Sequence, residues 1–114
     1  MAVAAAAVNV FKTITHNVGI TTVGIYTAPV GYTGVVLLSQ VTNTGPDTET
    51  ISFGYERSNG DRTPIVNDIA IPTNDSVNLL PGKLVVESGD KITMIGSTTS
   101  GLKFISSVLE TSNL

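Results

Sequence analysis

The sequence predicts an all-β domain, a jelly-roll-like antiparallel β-sandwich of about eight to nine strands with an N-terminal arm. Short segments rich in Thr, Val and Ile alternate apolar and polar residues with the period of a strand. Turn residues separate these segments at intervals of about ten residues. No segment after Val8 has the period of an amphipathic helix. Strands without helices between them favour two packed antiparallel sheets.

The candidate strands are bounded by Gly, Pro, Asn and Asp, the residues that favour turns. Nine segments fit this description. They are residues 10–16, 21–27, 34–42, 49–57, 65–71, 76–80, 83–87, 91–97 and 102–110.

The hairpin around Asn59-Gly60 allows its register to be predicted. A two-residue turn there would place Arg57 opposite Arg62, and like charges facing each other destabilise a sheet. We therefore expect an odd-length loop or a bulge, which keeps the apolar side chains on one face. Pro64 marks the return strand as an edge strand, where its missing N–H costs no ladder bond. The expected pairs are Tyr55 with Ile65 and Ile51 with Ile69.

The last two candidate strands are predicted to form a hairpin with a four-residue loop, residues 98–101. This loop would pair Ile95 with Phe104 and Met94 with Ile105. Both faces of such a ribbon are apolar, as are both faces of residues 35–38. Strands of this kind lie in the centre of a sandwich or are partly buried against another chain.

Charged residues make up 13% of the 114 residues, about half of the share in an ordinary soluble domain. The length fits one domain. With a net charge of −3 and scattered Lys and Arg, the chain is not expected to bind nucleic acid. A β-domain with so few solvating groups is expected to have part of its surface covered by neighbours.

The chain contains no cysteine, so it forms neither disulfides nor thiolate metal sites. Its apolar beginning, residues 2–8, lacks a basic region and is interrupted by Asn9 and Lys12. We predict no signal peptide, no membrane-spanning helix and no membrane partner. The predicted organisation is an Ala-rich arm, residues 1–9, and a single β-sandwich domain, residues 10–114.

No catalytic set can be assembled from the sequence. His16 is the only histidine, and spacing places no Ser, Asp or Glu beside it, so we interpret it as a partly exposed strand residue. Neither a zinc site nor a cofactor site is expected. Aspartates near predicted turns could supply calcium ligands, or they could cap their own turns. They are Asp47, Asp61, Asp68, Asp75 and Asp90.

Candidate interface residues lie in and beside the arm. Burying Val3, Val8, Val10 or Phe11 is worth about 1.5–3 kcal/mol each. The arm is therefore expected either to be disordered or to pack on its own domain or on a neighbouring subunit. Tyr32, in a loop flanked by glycines, is the aromatic residue expected to contact a partner.

Several turn-and-strand motifs together resemble a known family. They are Thr22-Val23-Gly24-Ile25-Tyr26-Thr27-Ala28-Pro29, the apolar strand 35–41 closing with Thr42-Asn43-Thr44, Ala70-Ile71-Pro72, the run from Leu79-Leu80-Pro81-Gly82 to Ser88-Gly89-Asp90, and Ser107-Val108-Leu109-Glu110. The chain from about residue 10 to 110 is similar to short virion proteins of tailed bacteriophages, particularly those of marine cyanobacteria. The resemblance implies a small β-sandwich structural protein of the capsid or of the tail and baseplate, without catalytic residues. The Ala-rich arm departs from the family pattern.

The leading hypothesis is a capsid decoration or cement protein, located in the virion and assembled in the host cytoplasm. Its partners would be copies of itself, for example in a trimer, and the major capsid protein. A tail or baseplate component is the first alternative. A carbohydrate-binding adhesin module that binds host glycan is the second, because jelly-roll loops serve that use.

Overall fold

The computed structural model describes residues 8–113, which form nine β-strands. Each strand predicted from the sequence is present, within a few residues of its expected bounds. Residues 1–7, with Val3 and most of the predicted arm, lie outside the described residues. The strands are β1 (Asn9–Asn17), β2 (Val23–Thr27), β3 (Tyr32–Asn43), β4 (Glu49–Glu56), β5 (Arg62–Ile71), β6 (Ser76–Asn78), β7 (Leu84–Val86), β8 (Lys91–Gly96) and β9 (Leu102–Ser112).

The strands form two antiparallel sheets. Sheet A has the order β1-β9-β3, and both β6 and β7 pair with the far side of β3. Sheet B has the order β2-β8-β4-β5. The first strand pairs with the last, and the connections pass back and forth between the sheets. This is the strand order of a jelly roll, so the predicted fold class is confirmed.

The core lies between the inner faces of the two sheets. The ring of Phe53, from sheet B, packs against the ring of Phe104, from sheet A, at 5.9 Å between centroids and a tilt of 35°. Aliphatic side chains from both sheets surround this pair and are fully buried. They include Val36, Val41, Val108, Ile51, Ile71, Ile92, Met94 and Leu102.

The β4–β5 hairpin confirms one predicted pair and corrects the other. Ile51 lies opposite Ile69 as expected, but Tyr55 lies opposite Thr63 and not Ile65. The odd-length loop is present, since the strands end at residues 56 and 62. Two register shifts also occur in β4–β5. Together these bulges explain why the partner of Tyr55 is Thr63 and not Ile65. Like charges are kept apart, because Arg62 faces Glu56.

The predicted hairpin of the last two strands is wrong. β8 belongs to sheet B and β9 to sheet A, so residues 97–101 cross from one sheet to the other. Met94 pairs with Val23 and Phe53, and Phe104 pairs with His16 and Val41. The apolar character of these strands is explained by their position, since β8 is central in sheet B, and β9 is central in sheet A beside β3.

No helix in the part of the chain that the structure describes is long and apolar enough to cross a membrane.

Candidate interaction surface

An apolar row crosses the outer face of sheet A, the face that points away from sheet B. Residues directly opposite each other on antiparallel strands share a face. Leu109 lies opposite both Phe11 and Val35, and Val35 also lies opposite Val85. The row therefore spans four strands, or about 14 Å. Its ends are well exposed, with Phe11 at 74% and Val85 at 54%.

Two further exposed side chains, Leu38 and Ile105, extend the apolar patch along the strands. Leu38 lies opposite Ser107, next to the row, and Ile105 is two residues further along β9. Near Val85, the charged Arg57 and Glu87 line an open depression. At most paired positions around the patch, the side chains are polar and uncharged. They are Asn9, Thr13, Thr15, Asn17, Thr33, Gln40, Thr42, Ser76, Asn78, Ser107 and Thr111. The paired positions of this face include one charged residue, Lys103, at its margin.

The outer face of sheet B has the opposite character. Its cross-strand row contains three charged residues, because Glu56 lies opposite both Lys91 and Arg62. Lys91 Nζ and Glu56 Oε2 are 3.1 Å apart. The Arg62 guanidinium lies over Gly54, because a Cβ added at Gly54 would be 2.7 Å from the Arg62 Cζ. The Arg62 Nε donates a hydrogen bond to Thr93 Oγ1. The two outer faces of the sandwich thus differ sharply in charge.

A buried carboxylate joins the two sheets near the start of β1. Glu110, on the inner face of sheet A, accepts a hydrogen bond from the Tyr26 hydroxyl at 2.7 Å and lies 3.0 Å from Lys12 Nζ. Burial pushes the pKa of Glu110 upward, but the hydrogen bonds from Tyr26 and Lys12 outweigh it and leave the pKa below its usual value. Burial and the nearby carboxylate raise the pKa of Tyr26. Glu110 therefore stays ionised and Tyr26 protonated at neutral pH.

A second buried carboxylate, Asp90, connects the loop after β7 with the end of β4. Tyr55 donates its hydroxyl proton to Asp90 Oδ2 at 2.7 Å, and the Ser58 N–H donates to Oδ1 at 2.9 Å. Arg57 Nη1 is 2.9 Å from Asp90 Oδ2 and 2.8 Å from Glu87 Oε2. The Tyr55 hydrogen bond lowers the pKa of Asp90 most, and the contacts of Ser58 and Arg57 add to the effect.

Both carboxylates have structural partners on every side, so neither resembles an acid poised for catalysis. His16 lies opposite Phe104 in sheet A as a half-buried strand residue, and its Nε2 has no hydrogen-bond partner in the described residues. No Ser, Asp or Glu side chain approaches it within hydrogen-bonding distance in that part of the chain.

The aspartates and asparagines near turns mostly hold the backbone. Asp75 Oδ1 accepts the Ser76 N–H at 2.8 Å, and Asn59 Oδ1 accepts the Asp61 N–H at 2.9 Å. Within residues 8–113, no three His, Asp or Glu side chains converge as metal ligands would. Asp75 and Asn59 thus cap their own turns, and the structure does not bring the five candidate aspartates together.

Asn43 organises the end of the sandwich where the β3–β4 loop meets the end of β5. Its side chain is fully buried. Its Nδ2 donates to the carbonyl oxygens of Asp47 and Ile71 at 2.8 and 2.9 Å, and its Oδ1 accepts the Gly45 N–H at 2.9 Å. One side chain therefore joins the β3–β4 loop to the end of β5.

The predicted interface residues fall into two groups. Val8, Val10 and Phe11 are exposed at the start of β1, and Phe11 belongs to the apolar row. Tyr32 is the first residue of β3, half-buried, and apart from that row. Residues 35–38 and Ile105 were predicted as parts of strands that are apolar on both faces and lie in the centre of the sandwich or against another chain. Val85 and Leu109 were not singled out. The sequence does contain a signal for part of this patch. Alternate residues of a strand share a face, which places Lys103, Ile105, Ser107 and Leu109 on the same face of β9.

An open depression of about 300 Å³ lies beside β7 and the end of the β4–β5 hairpin. Tyr55 is its one aromatic lining residue, and Tyr32 does not contribute. Its lining consists of Tyr55, Arg57, Thr63, Ile65, Leu84, Val85 and Glu87.

No protein-family model matches the chain, and no curated protein matches it in sequence. Solved structures with a similar fold do exist. One is a chain of Bacillus endospore appendages, described as disulfide-linked pili, with a TM-score of 0.58 and 13% identity over 100% of this chain and 97% of that one. Another is a chain of the acid-stable capsid of Helicobacter pylori bacteriophage KHP30, with a TM-score of 0.59 and 12% identity over 96% and 94%.

A third similar structure is infectious bursal disease virus, strain Gx, with a TM-score of 0.52 and 10% identity. The match covers 95% of this chain but only 33% of the viral chain. At these identities the similarity concerns the fold. The jelly roll found here is thus shared with chains of viral capsids and of a pilus.

Proposed function

We propose that this chain is a virion structural protein that decorates the capsid of a tailed bacteriophage and stabilises it by packing between subunits. The observation that carries the proposal is the outer face of sheet A, an apolar row framed by uncharged polar side chains. The interior of a protein interface has this composition, since charged residues are depleted there. Phe11, Leu109, Val35 and Val85 form this row, with Leu109 and Val35 at its centre.

The outer face of sheet A suits an interface because covering it has a low energetic cost. Each Å² of apolar surface removed from water contributes about 25 cal/mol. Ionised groups offset such a gain when they lose water without finding a partner. A partner surface that covers the row meets charged side chains only at its margins, at Lys103 and, beside Val85, at the paired Arg57 and Glu87. On the outer face of sheet B, Lys91, Glu56 and Arg62 would have to be covered as well.

The KHP30 capsid chain supports the capsid proposal through its length. The match covers nearly all of both chains, so a single small jelly roll occurs as a separate chain in a phage capsid. In infectious bursal disease virus the same fold makes up about a third of a larger chain. The comparison thus supports a capsid role for a single small jelly roll.

The similarity to the pilus chain does not include disulfide linkage. The Bacillus appendages are described as disulfide-linked, whereas this chain has no cysteine. Disulfide bonds therefore cannot link copies of this chain.

A rebinding experiment tests the proposed surface. Particles that lack the protein are expected to lose heat or osmotic stability, and added purified protein is expected to restore it. Val85→Asp places a charge in the apolar row and is expected to prevent rebinding. Val30→Asp is the matched control, because Val30 is 89% exposed but lies in the β2–β3 loop. Equal rebinding of the two variants would contradict the proposal.

The tail or baseplate alternative makes a separate prediction. Mass spectrometry of separated heads and tails would find the protein in the tail fraction, whereas the capsid proposal places it with the heads. The glycan alternative predicts binding of the isolated domain to a glycan array and loss of that binding in Tyr32→Ala. The half-buried position of Tyr32, outside the open depression, does not favour it.

The N-terminal arm is proposed to add to the contact between subunits. Its described end, Val8, is exposed beside Val10 and Phe11. Deletion of residues 2–8 is expected to weaken particle binding without unfolding the sandwich.

A further inference from the structure

Within residues 8–113, β1 is the edge strand with the least protection. Natural edge strands are kept short, bulged, charged or interrupted by proline, because unpaired N–H and C=O groups attract other strands. The other edges follow this rule: β2 has five residues and a bulge, β5 has Pro64 and two bulges, and β6 and β7 have three residues each. β1 has nine consecutive residues in unbroken register with β9 and no proline.

Two hydrogen bonds establish which backbone groups of β1 are free. The Ser112 N–H donates to the Val8 carbonyl at 3.2 Å, and the Val18 N–H donates to the Leu102 carbonyl at 3.0 Å. In an antiparallel pair the bonded positions alternate along each strand. Even-numbered residues of β1 therefore pair with β9, and odd-numbered residues direct their N–H and C=O groups away from sheet A. These residues are Asn9, Phe11, Thr13, Thr15 and Asn17.

The single lysine of β1 does not guard this edge. Lysine commonly protects an edge strand by placing a charge where another strand would pair. An inward-pointing charge can also protect an edge, but Lys12 Nζ lies 3.0 Å from Glu110 Oε1 on the core side of sheet A, so this charge is paired within its own chain. The free side of β1 is thus lined by uncharged side chains.

We propose that two copies of this chain pair through β1, antiparallel, about a two-fold axis at Thr13. Such an interface is isologous, so each copy presents the same edge. This register uses the whole strand and places Lys12 opposite Ile14 of the partner subunit. A register centred one residue earlier would set the two copies of Lys12 against each other, and like charges there destabilise the pair. This inference rests on the proposed function, which includes self-association, and it names β1 as the surface through which the copies associate. It replaces the trimer expected from the sequence with a two-fold pair.

The pairing enlarges the apolar surface on the outer face of sheet A. The side chains of the odd-numbered residues of β1 lie on that face, so the two outer faces join into one. Phe11, at the margin of a single copy, lies opposite Thr15 of the partner subunit and inside the combined face. A dimer therefore presents two apolar rows side by side to any surface that it covers.

Solution mass tests the pairing, with Thr13 as the position to change. Analytical ultracentrifugation of the full chain is expected to show twice the 11.8 kDa chain mass. Thr13→Pro removes a free N–H without breaking a bond to β9, and it is expected to halve the mass. Thr13→Val keeps the N–H and the branched shape, so it is the matched control and is expected to remain a dimer. A monomeric wild-type chain at about 1 mM, where even weak complexes form, would overturn the inference.

Amide hydrogen exchange of the unmodified chain tests the same contact without relying on the fold of a variant. At concentrations that give the dimer, the amides of Phe11, Thr13 and Thr15 are expected to be protected, and dilution is expected to remove that protection. The amides of Lys12 and Ile14 are expected to be protected in both states. A dimer in which the odd-numbered amides exchange freely would overturn the inference, as would an open filament, which indicates a head-to-tail contact.

The two proposals fail differently. A chain that remains monomeric but still binds particles contradicts the β1 pairing and leaves the decorating role. A dimer with the expected exchange pattern that binds no particle contradicts the decorating role and leaves the pairing.

Discussion

Tyr26 and Glu110 connect the two sheets through a hydrogen bond of 2.7 Å between the tyrosine hydroxyl and carboxylate Oε2. Tyr26 lies in β2 of sheet B and Glu110 in β9 of sheet A. The carboxylate is almost fully buried and has a second partner, Lys12, at 3.0 Å. A carboxylate in this position is tolerated because donors approach both of its oxygens.

Tyr26→Phe is expected to lower the free energy of unfolding by about 1.5–3 kcal/mol, the range for a hydrogen bond to a charged group. Urea denaturation measures this change. Tyr32→Phe is the matched control, because the Tyr32 hydroxyl has no hydrogen-bond partner in the described residues, and it is expected to stay within about 0.5 kcal/mol of wild type. Equal losses in the two variants would show that the bond to Glu110 contributes nothing.

Acid is expected to destabilise the fold through Glu110 and Asp90. Both carboxyls have a folded-state pKa below the usual value, so they bind protons more readily after unfolding. Their contribution to stability is complete above about pH 5 and is lost as the pH falls through about 4 toward the lowered values. Urea midpoints measured from pH 7 to pH 2 test this.

Glu110→Gln is expected to reduce the slope of stability against pH in that acidic window. Asp47→Asn is the control, because Asp47 is exposed and its side chain makes no hydrogen bond in the described residues. A Glu110→Gln profile parallel to that of wild type would contradict the role given to this carboxylate.

Gly34→Ala is expected to displace Tyr26. A Cβ at Gly34 would be 2.6 Å from the Tyr26 hydroxyl oxygen and 2.7 Å from its Cε2, so the ring must move. We expect a loss of about 1–3 kcal/mol in the free energy of unfolding. Gly82→Ala is the control, since no atom lies within 4 Å of its added Cβ. Thermal unfolding of both variants distinguishes crowding at Gly34 from a general effect of alanine.

Asn43→Ala is expected to destabilise the end of the sandwich where the loops meet. Its amide group bonds to backbone groups of Gly45, Asp47 and Ile71, and a buried backbone group left unpaired costs about 1–3 kcal/mol. A loss of about 3 kcal/mol or more by urea denaturation is therefore expected. Asn59→Ala, which removes an exposed turn cap, is expected to cost about 1 kcal/mol. A smaller loss for Asn43 than for Asn59 would refute this account.

The strands were predictable because their signals are local. Alternation and turn residues depend on neighbours in sequence, and they located β1 to β9 closely. The pairing of β8 with β9 was wrong because central strands are apolar on both faces, so alternation does not tell which sheet holds Met94 or Phe104. The bulges in β5 leave no clear pattern in the sequence. At one of them Asp68 has a φ of +50°, and its N–H donates a hydrogen bond to Ser52 Oγ.

The candidate surface was predicted only in part. Phe11 was identified as an exposed apolar residue, but its neighbours Leu109, Val35 and Val85 come together only when β1, β9, β3 and β7 lie side by side. The link between Tyr26 and Glu110 was also missed. Glu110 shares the parity of Phe104, Ser106 and Val108, and a carboxylate at a core position was the signal for a buried partner.

The pairing of β1 with β9 has a consequence for how the molecule is made. Of the nine described strands, β1 leaves the ribosome first and β9 last, yet the two are neighbours in sheet A, and β9 is the strand between β1 and β3. Until residues 102–112 have been synthesised, β1 has no partner in its own chain, and such long-range pairing forms slowly. Crowded nascent chains are thus expected to be most vulnerable to misassembly just before translation of the final strand is complete.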